Sequence, residues 1–230
     1  MHAIVFGATG MIGQGVLREL MRDPSVTRVL LVTRRPTCVA HGKVREIVHP
    51  DFFDFSPIEA QLTGYDACFF CLGVSSIGKS EAEYRRLTYD LTLAAATTLA
   101  KVNPKMAFLY VSGTGTDSTE HGKRMWARVK GETENALMSL FPAAVMIRPG
   151  YIQPMHGVRS PTKATRRGYA LMSPLYPLLR AAFPKSITNT EELARAMIRA
   201  ARGEAPKRIL EPADLVALGR AAAVEEEAAL

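Results

Sequence analysis

No run in this chain approaches the eighteen or so uninterrupted apolar residues that a membrane helix needs, so no membrane partner is expected. A basic n-region and a long apolar h-region are also missing. Met1-His2 opens directly into Ala3-Ile4-Val5-Phe6, and no secretory leader is expected. Cysteine is scarce: Cys38, Cys68 and Cys71 form an odd set that fits a reducing cytoplasm, the predicted location. Cys68-Phe69-Phe70-Cys71 has the spacing of a redox or zinc pair, but it sits in an apolar run that reads as a strand. Residues three apart on a strand face opposite sides, so neither a dithiol nor a metal set is expected. Hydrophobic residues make up 47% of 230 residues, which excludes a disordered chain and suits one well-buried α/β domain.

Charge is uneven. The net charge is +7. Between Lys123 and Lys185 eleven Lys or Arg face only Glu132 and Glu134, so that stretch carries +9. RNA-binding aromatic-and-basic motifs and a recognition-helix pattern are both lacking, and no nucleic-acid partner is expected. The stretch reads either as a solvated basic surface or as a basic cleft for an anionic small-molecule substrate or a cofactor phosphate. Oligomeric state has no signature here.

Apolar runs alternate with helical patterns, the signature of βαβ units and a parallel sheet. Strands are predicted at 3–6, 28–33, 44–48, 67–72, 107–112 and 143–147, with helices at 11–22, 81–101 and 123–140. Asn189-Thr190-Glu191-Glu192 has helix-start chemistry for a helix to about residue 202. A seventh strand near 208–210 and a last helix at 214–223 complete the pattern. Prolines 154, 161, 174, 177 and 184 interrupt residues 151–188, which read as an irregular lid or substrate-side segment. The predicted fold is a doubly wound parallel sheet flanked by helices over 1–230, with a small C-terminal substrate segment.

The sharpest motif is Gly7-Ala8-Thr9-Gly10-Met11-Ile12-Gly13, between the first strand and the first helix. Gly7 permits the tight turn, Gly10 lets backbone approach a pyrophosphate, and Gly13 allows helix to pack on strand. The helix N-terminus then offers N–H groups to phosphate. At the end of the second strand, where NAD-specific sites place an acid for the ribose 2′-hydroxyl, the chain has Thr33-Arg34-Arg35-Pro36. Guanidinium groups suit a 2′-phosphate, so NADP(H) is the predicted cofactor.

Together these residues resemble the short-chain dehydrogenase/reductase superfamily, in particular its extended, epimerase-like and Tat-interacting-protein-like atypical members. The resemblance implies cofactor contacts at Gly7, Thr9, Gly10, Met11, Ile12 and Gly13. It adds Asp51 and Phe52 after the third strand, near the adenine, and Cys71-Leu72-Gly73 after the fourth, along the ribose. Ser112 and Thr114 match the stretch where such enzymes carry a catalytic Ser or Thr. Pro149, Gly150, Tyr151 and Ile152 match the stretch whose backbone meets the nicotinamide amide.

The family's Tyr-x-x-x-Lys falls on Trp126-Ala127-Arg128-Val129-Lys130, and only half of it is kept. An indole does not ionise near neutral pH and cannot pass a proton as a phenol does. Residues i and i+4 share a helix face, so Trp126 and Lys130 should both look at the cofactor, with Lys130 on the nicotinamide ribose. A replacement donor is sought among Thr114, Ser112, Tyr151, His156 and Tyr84. Three functions fit: an NADPH-dependent reductase of a small carbonyl substrate, a non-catalytic NADP(H)-binding sensor or scaffold, and an epimerase or dehydratase with a retained cofactor.

Overall fold

The computed structural model describes residues 1–158 and 172–228. Seven strands form one sheet: β1 (His2–Phe6), β2 (Arg28–Thr33), β3 (Val44–Val48), β4 (Ala67–Phe70), β5 (Ala107–Val111), β6 (Ala144–Ile147) and, late in the chain, β9 (Ile209–Leu210). Their order is β3-β2-β1-β4-β5-β6-β9, and every pairing is parallel. Chain order reverses between β1 and β4. In an open α/β sheet that switch point, at the carboxyl ends of the strands, is where a ligand crevice forms.

The alternation of side chains along each strand divides the core in two. Ala3, Val5, Val29, Leu31, Phe69, Leu109 and Ile147 face one side, under α1 (Met11–Arg22) and the later α6 (Thr190–Ala201). Ile4, Phe6, Leu30, Val32, Phe70, Phe108 and Met146 face the other, under α3 (Leu91–Val102) and α4 (Met125–Leu140). With both faces covered, the strands read as continuous apolar runs, which made them legible. The same alternation sends Cys68 into the second core and Cys71 toward the first, so the C-x-x-C cannot close as a pair.

Several expectations are corrected. The helix predicted over 81–101 is α2 (Glu81–Arg85), a π turn (Arg86–Asp90) and α3 in succession. A 3-10 turn, Ser56–Leu62, precedes β4. The segment 151–188 is not uniformly irregular: β7 (Tyr151–Gln153) pairs in parallel with β8 (Ile187–Asn189), and α5 (Tyr176–Ala182) lies between them. Part of that segment, residues 159–171, lies outside the described residues. Asn189 caps α6 as its chemistry predicts, its side chain accepting from the Glu192 N–H at 2.8 Å. The final helix, α7 (Pro212–Ala228), is longer than predicted.

Candidate functional site

The glycine turn sets the floor of the crevice. Gly7 has φ +78°, and a Cβ there would lie 2.8 Å from the Cys71 carbonyl carbon, so only glycine lets β1 and β4 end side by side. A Cβ on Gly13 would lie 2.1 Å from the Gly7 oxygen, which fixes α1 directly on the turn. Gly10 caps α1 with no side-chain hydrogen bond, and no acid stands in the first helical turn. The helix end is therefore open to an anion, with the dipole's positive end facing the crevice.

Above this floor lies a cavity of about 630 Å³, within the range of small-ligand and cofactor sites. Gly7, Ala8, Thr9 and Gly10 line its base, Cys71, Leu72 and Gly73 one wall, and residues 32–36 with Pro50 and Phe52 the other. Among the described residues, no carboxylate is in the lining. Phe52 is held by edge contact with Phe6 at 5.9 Å and by stacking with His49 at 6.3 Å, and Arg34 lies over its ring at 5.9 Å. Both Arg34 and Arg35 are exposed and, among the described residues, form no ion pair.

Glu46 of β3 was not anticipated. Its carboxylate accepts the Thr37 N–H at 3.0 and 3.2 Å and the Thr33 hydroxyl at 3.1 Å. The nearest acid to the end of β2 thus organises the arginine loop and is not among the cavity-lining residues. Thr33, Pro36 and Pro50 were also missed. The rule that crevices form at carboxyl ends of strands would have found them, since each sits just at or after β2 or β3.

Other predicted contacts lie elsewhere. Asp51 turns its carboxylate onto the Phe53 N–H at 2.9 Å and does not line the cavity, unlike its neighbour Phe52. Met11 and Ile12 pack against the first core. Pro149 lends its carbonyl to the Thr114 N–H at 3.1 Å, and Ile152 is buried in the core. A Cβ on Gly150 would meet the Ser186 carbonyl at 2.7 Å, so that glycine serves the approach of β7 to β8. Burial raises the pKa of the Cys71 thiol to about 12, so it stands in the wall as a neutral group.

One strand over from the Cys71 wall, the loop after β5 meets α4. Trp126 and Lys130 are half-buried on one helix face. A Cβ on Gly115 would lie 3.5 Å from the Trp126 ring, so the indole faces the loop after β5. Lys130 Nζ donates to the Ser112 carbonyl oxygen at the carboxyl end of that strand. Burial lowers the pKa of its ammonium to about 8, against an opposing pull from Glu134. The pull is partial because Glu134, fully buried, is already committed to an ion pair with Arg148 and to the Ser112 hydroxyl at 2.5 Å. Arg148 extends this network to Glu211 at 3.0 Å and to Ser118 at 2.6 Å.

The replacement donors fare poorly here. Ser112 spends its hydroxyl on Glu134. Tyr151 donates to Gln153 at 2.9 Å, and its phenol is pushed up first of all by burial. His156 sits 2.6 Å from the Glu191 carboxylate, and Tyr84 is the buried residue of α2. Thr114 is exposed. Of the basic stretch, Arg128, Arg148 and Arg180 pair with Glu81, Glu134 and Glu192, while 159, 163, 166 and 167 lie outside the described residues.

Comparison with known proteins fits this geometry. The chain is 29% identical over 177 residues to the protein fmp52, mitochondrial, of Emericella nidulans, covering 74% of each. It is 25% identical over 215 residues to the fmp52 protein of Aspergillus niger, covering 89% of this chain and 90% of that one. These relatives are named mitochondrial, which overturns the cytoplasmic expectation. Sparse cysteines indicate a reducing compartment and cannot tell one such compartment from another. The fold matches Bordetella bronchiseptica WbmF in complex with NAD+ at TM-score 0.66 and 16% identity, covering 94% of this chain and 76% of that one. It also matches a UDP-N-acetylglucosamine 4-epimerase from Methanobrevibacter ruminantium at TM-score 0.60 and 18% identity, covering 90% and 74%. The NAD dependent epimerase/dehydratase family model matches residues 3–123, from β1 through the glycine turn and the cavity walls to the threshold of α4. Over half its length, and with the crevice residues inside the match, the chain belongs to that family.

Proposed function

We propose that the protein binds NADP(H) and reduces a small carbonyl substrate. The family binds a nicotinamide dinucleotide, which when bound supplies or accepts hydride. The observation that carries the choice of NADP(H) is the composition of the cavity: Arg34 and Arg35 in its wall, no acid in the lining, and Glu46 held back by Thr33 and Thr37. A ribose 2′-phosphate would meet two guanidiniums there, and a bare 2′-hydroxyl would find no carboxylate to accept its proton. Gly7–Gly10 and the open end of α1 would hold the pyrophosphate, with Phe52 beside the adenine. By the family resemblance, the Lys130 ammonium, carried by α4 to the end of β5, would meet the nicotinamide ribose.

The other reading, a binding protein without turnover, is favoured by Trp126 in place of the family's tyrosine. Assaying the wild type and Trp126→Tyr with NADPH on aldehydes, ketones and quinones separates the two. The reductase reading expects turnover by the wild type on at least one of these classes. NADPH binding by both forms with turnover by neither would favour the binding protein.

A further inference from the structure

We propose that Lys130 is itself the proton donor of this site, giving its proton to the oxygen of a carbonyl substrate. The inference rests on the reading that the site holds NADP(H). It begins from what surrounds the ammonium. Lys130 is half-buried, and its one hydrogen bond among the described residues goes to a neutral acceptor, the Ser112 carbonyl. An ammonium carries three N–H donors, so two remain. The family's tyrosine, which would shield such a lysine from direct work, is an indole here. Of the other hydroxyls and the imidazole near the strand ends, Ser112 is spent on Glu134, Tyr151 on Gln153 and His156 on Glu191, which leaves the exposed Thr114 hydroxyl as the rival donor.

The acid that should neutralise Lys130 is spent too. Glu134 stands four residues on along the same helix, but Arg148 reaches it from the end of β6 with two guanidinium nitrogens. A buried cation without its own counter-ion releases its proton more readily, and a lowering to about 8 follows from that burial. Of the charged groups on the elements packed against α4, Arg85 pairs with Glu132 and Asp90, Arg128 with Glu81 and Glu83 with Lys79, while Arg86 lies over the Phe53 ring. Tyr84 and Tyr110 are phenols that burial keeps protonated.

In the step inferred, the Lys130 N–H bond breaks and an O–H bond forms on the substrate oxygen as the carbonyl carbon accepts hydride from NADPH. The carbonyl becomes an alcohol and the dihydronicotinamide is oxidised. Lys130 is left as a neutral amine that recovers its proton from water. An amine titrating near neutrality is matched to that exchange better than a threonine hydroxyl is.

Trp126, the chain's one tryptophan, lies one helical turn from the amine and gives a readout independent of turnover. Indole emission in the wild type should change between pH 7 and 9 with a midpoint near 8, and stay flat in Lys130→Met and Lys130→Arg. Competitive acetylation read by mass spectrometry should give the same midpoint directly. With NADPH and phenanthrenequinone, wild-type kcat should fall as pH rises through that midpoint. Lys130→Arg keeps the charge but cannot release a proton, so it should still bind NADPH while kcat drops by about 10²–10⁴-fold. Acetylation showing Lys130 at the ordinary lysine value, or an undiminished kcat in Lys130→Arg, overturns the proposal. If the wild type binds NADPH and reduces none of the carbonyl panel, the proposal falls while the cofactor reading stands. If NADPH does not bind at all, the cofactor reading itself fails.

Discussion

The two ends of the crevice are built by different means. At the phosphate end the work is done by backbone: three glycines, an uncapped helix and a turn that no side chain could share. At the end proposed for the nicotinamide it is done by side chains, with Lys130, Glu134, Arg148 and Ser112 drawn from α4 and the ends of β5 and β6. The first construction tolerates almost no change and says little about chemistry. The second can change a neighbour, as Trp126 in place of the family's tyrosine illustrates, while the fold remains.

The largest effect expected lies at the side-chain end. Glu134→Ala leaves the Arg148 guanidinium with only the more exposed Glu211 as counter-ion, and breaking such a buried pair costs about 3–5 kcal/mol. Denaturant unfolding should show this loss, and a change under about 1 kcal/mol would mean the network is not what holds that end together.

Gly13→Ala attacks the backbone end. Its new methyl would meet the Gly7 oxygen, an overpacking that costs about 1–3 kcal/mol. The sharper consequence is functional: α1 must move off the turn, so added NADPH should no longer raise the melting temperature. Retained stabilisation by cofactor in this variant would show that the turn has slack the structure does not reveal.

Lys130→Met should move stability the opposite way. The folded-state value of about 8 lies below that of an unfolded lysine, near 10.4, so the charged form is penalised in the folded state at pH 7. Between these values the unfolded chain binds more protons, and wild-type stability should rise with pH across that window. The variant should be more stable than wild type by about 1–3 kcal/mol at pH 7, the gap closing toward pH 10. Paired thermal melts at the two pH values would show it, and a destabilised variant at pH 7 would contradict the isolation of the ammonium.

The same contrast explains what could be read from the sequence. Strands β1 to β6 and α1 were legible because a doubly covered sheet demands unbroken apolar runs, and Gly7 and Gly13 because a Cβ at either would strike backbone. Strands β7 and β8 are three residues each and pair with each other across more than thirty residues, too little pattern to notice. The π turn at Arg86–Asp90 is a shift in backbone bonding inside a good helical sequence. Asp51 was ambiguous because one aspartate can serve a ligand or its own Phe53 N–H with the same spacing. The isolation of Lys130 was hidden most deeply, since it depends on Arg148 claiming Glu134, and that contact exists only once β6 lies beside β5.

The central claim, that two arginines in an acid-free wall select NADP(H), is tested most directly by calorimetric titration of NADPH and NADH against the wild type, Arg34→Ala and Arg35→Ala. Charge-assisted contacts of this kind contribute about 1.5–3 kcal/mol each. The account predicts that NADPH binds at least about tenfold more tightly than NADH, and that each substitution weakens NADPH while leaving NADH nearly unchanged. Equal affinity for the two cofactors in the wild type, or arginine variants that bind NADPH as well as it does, would contradict the account.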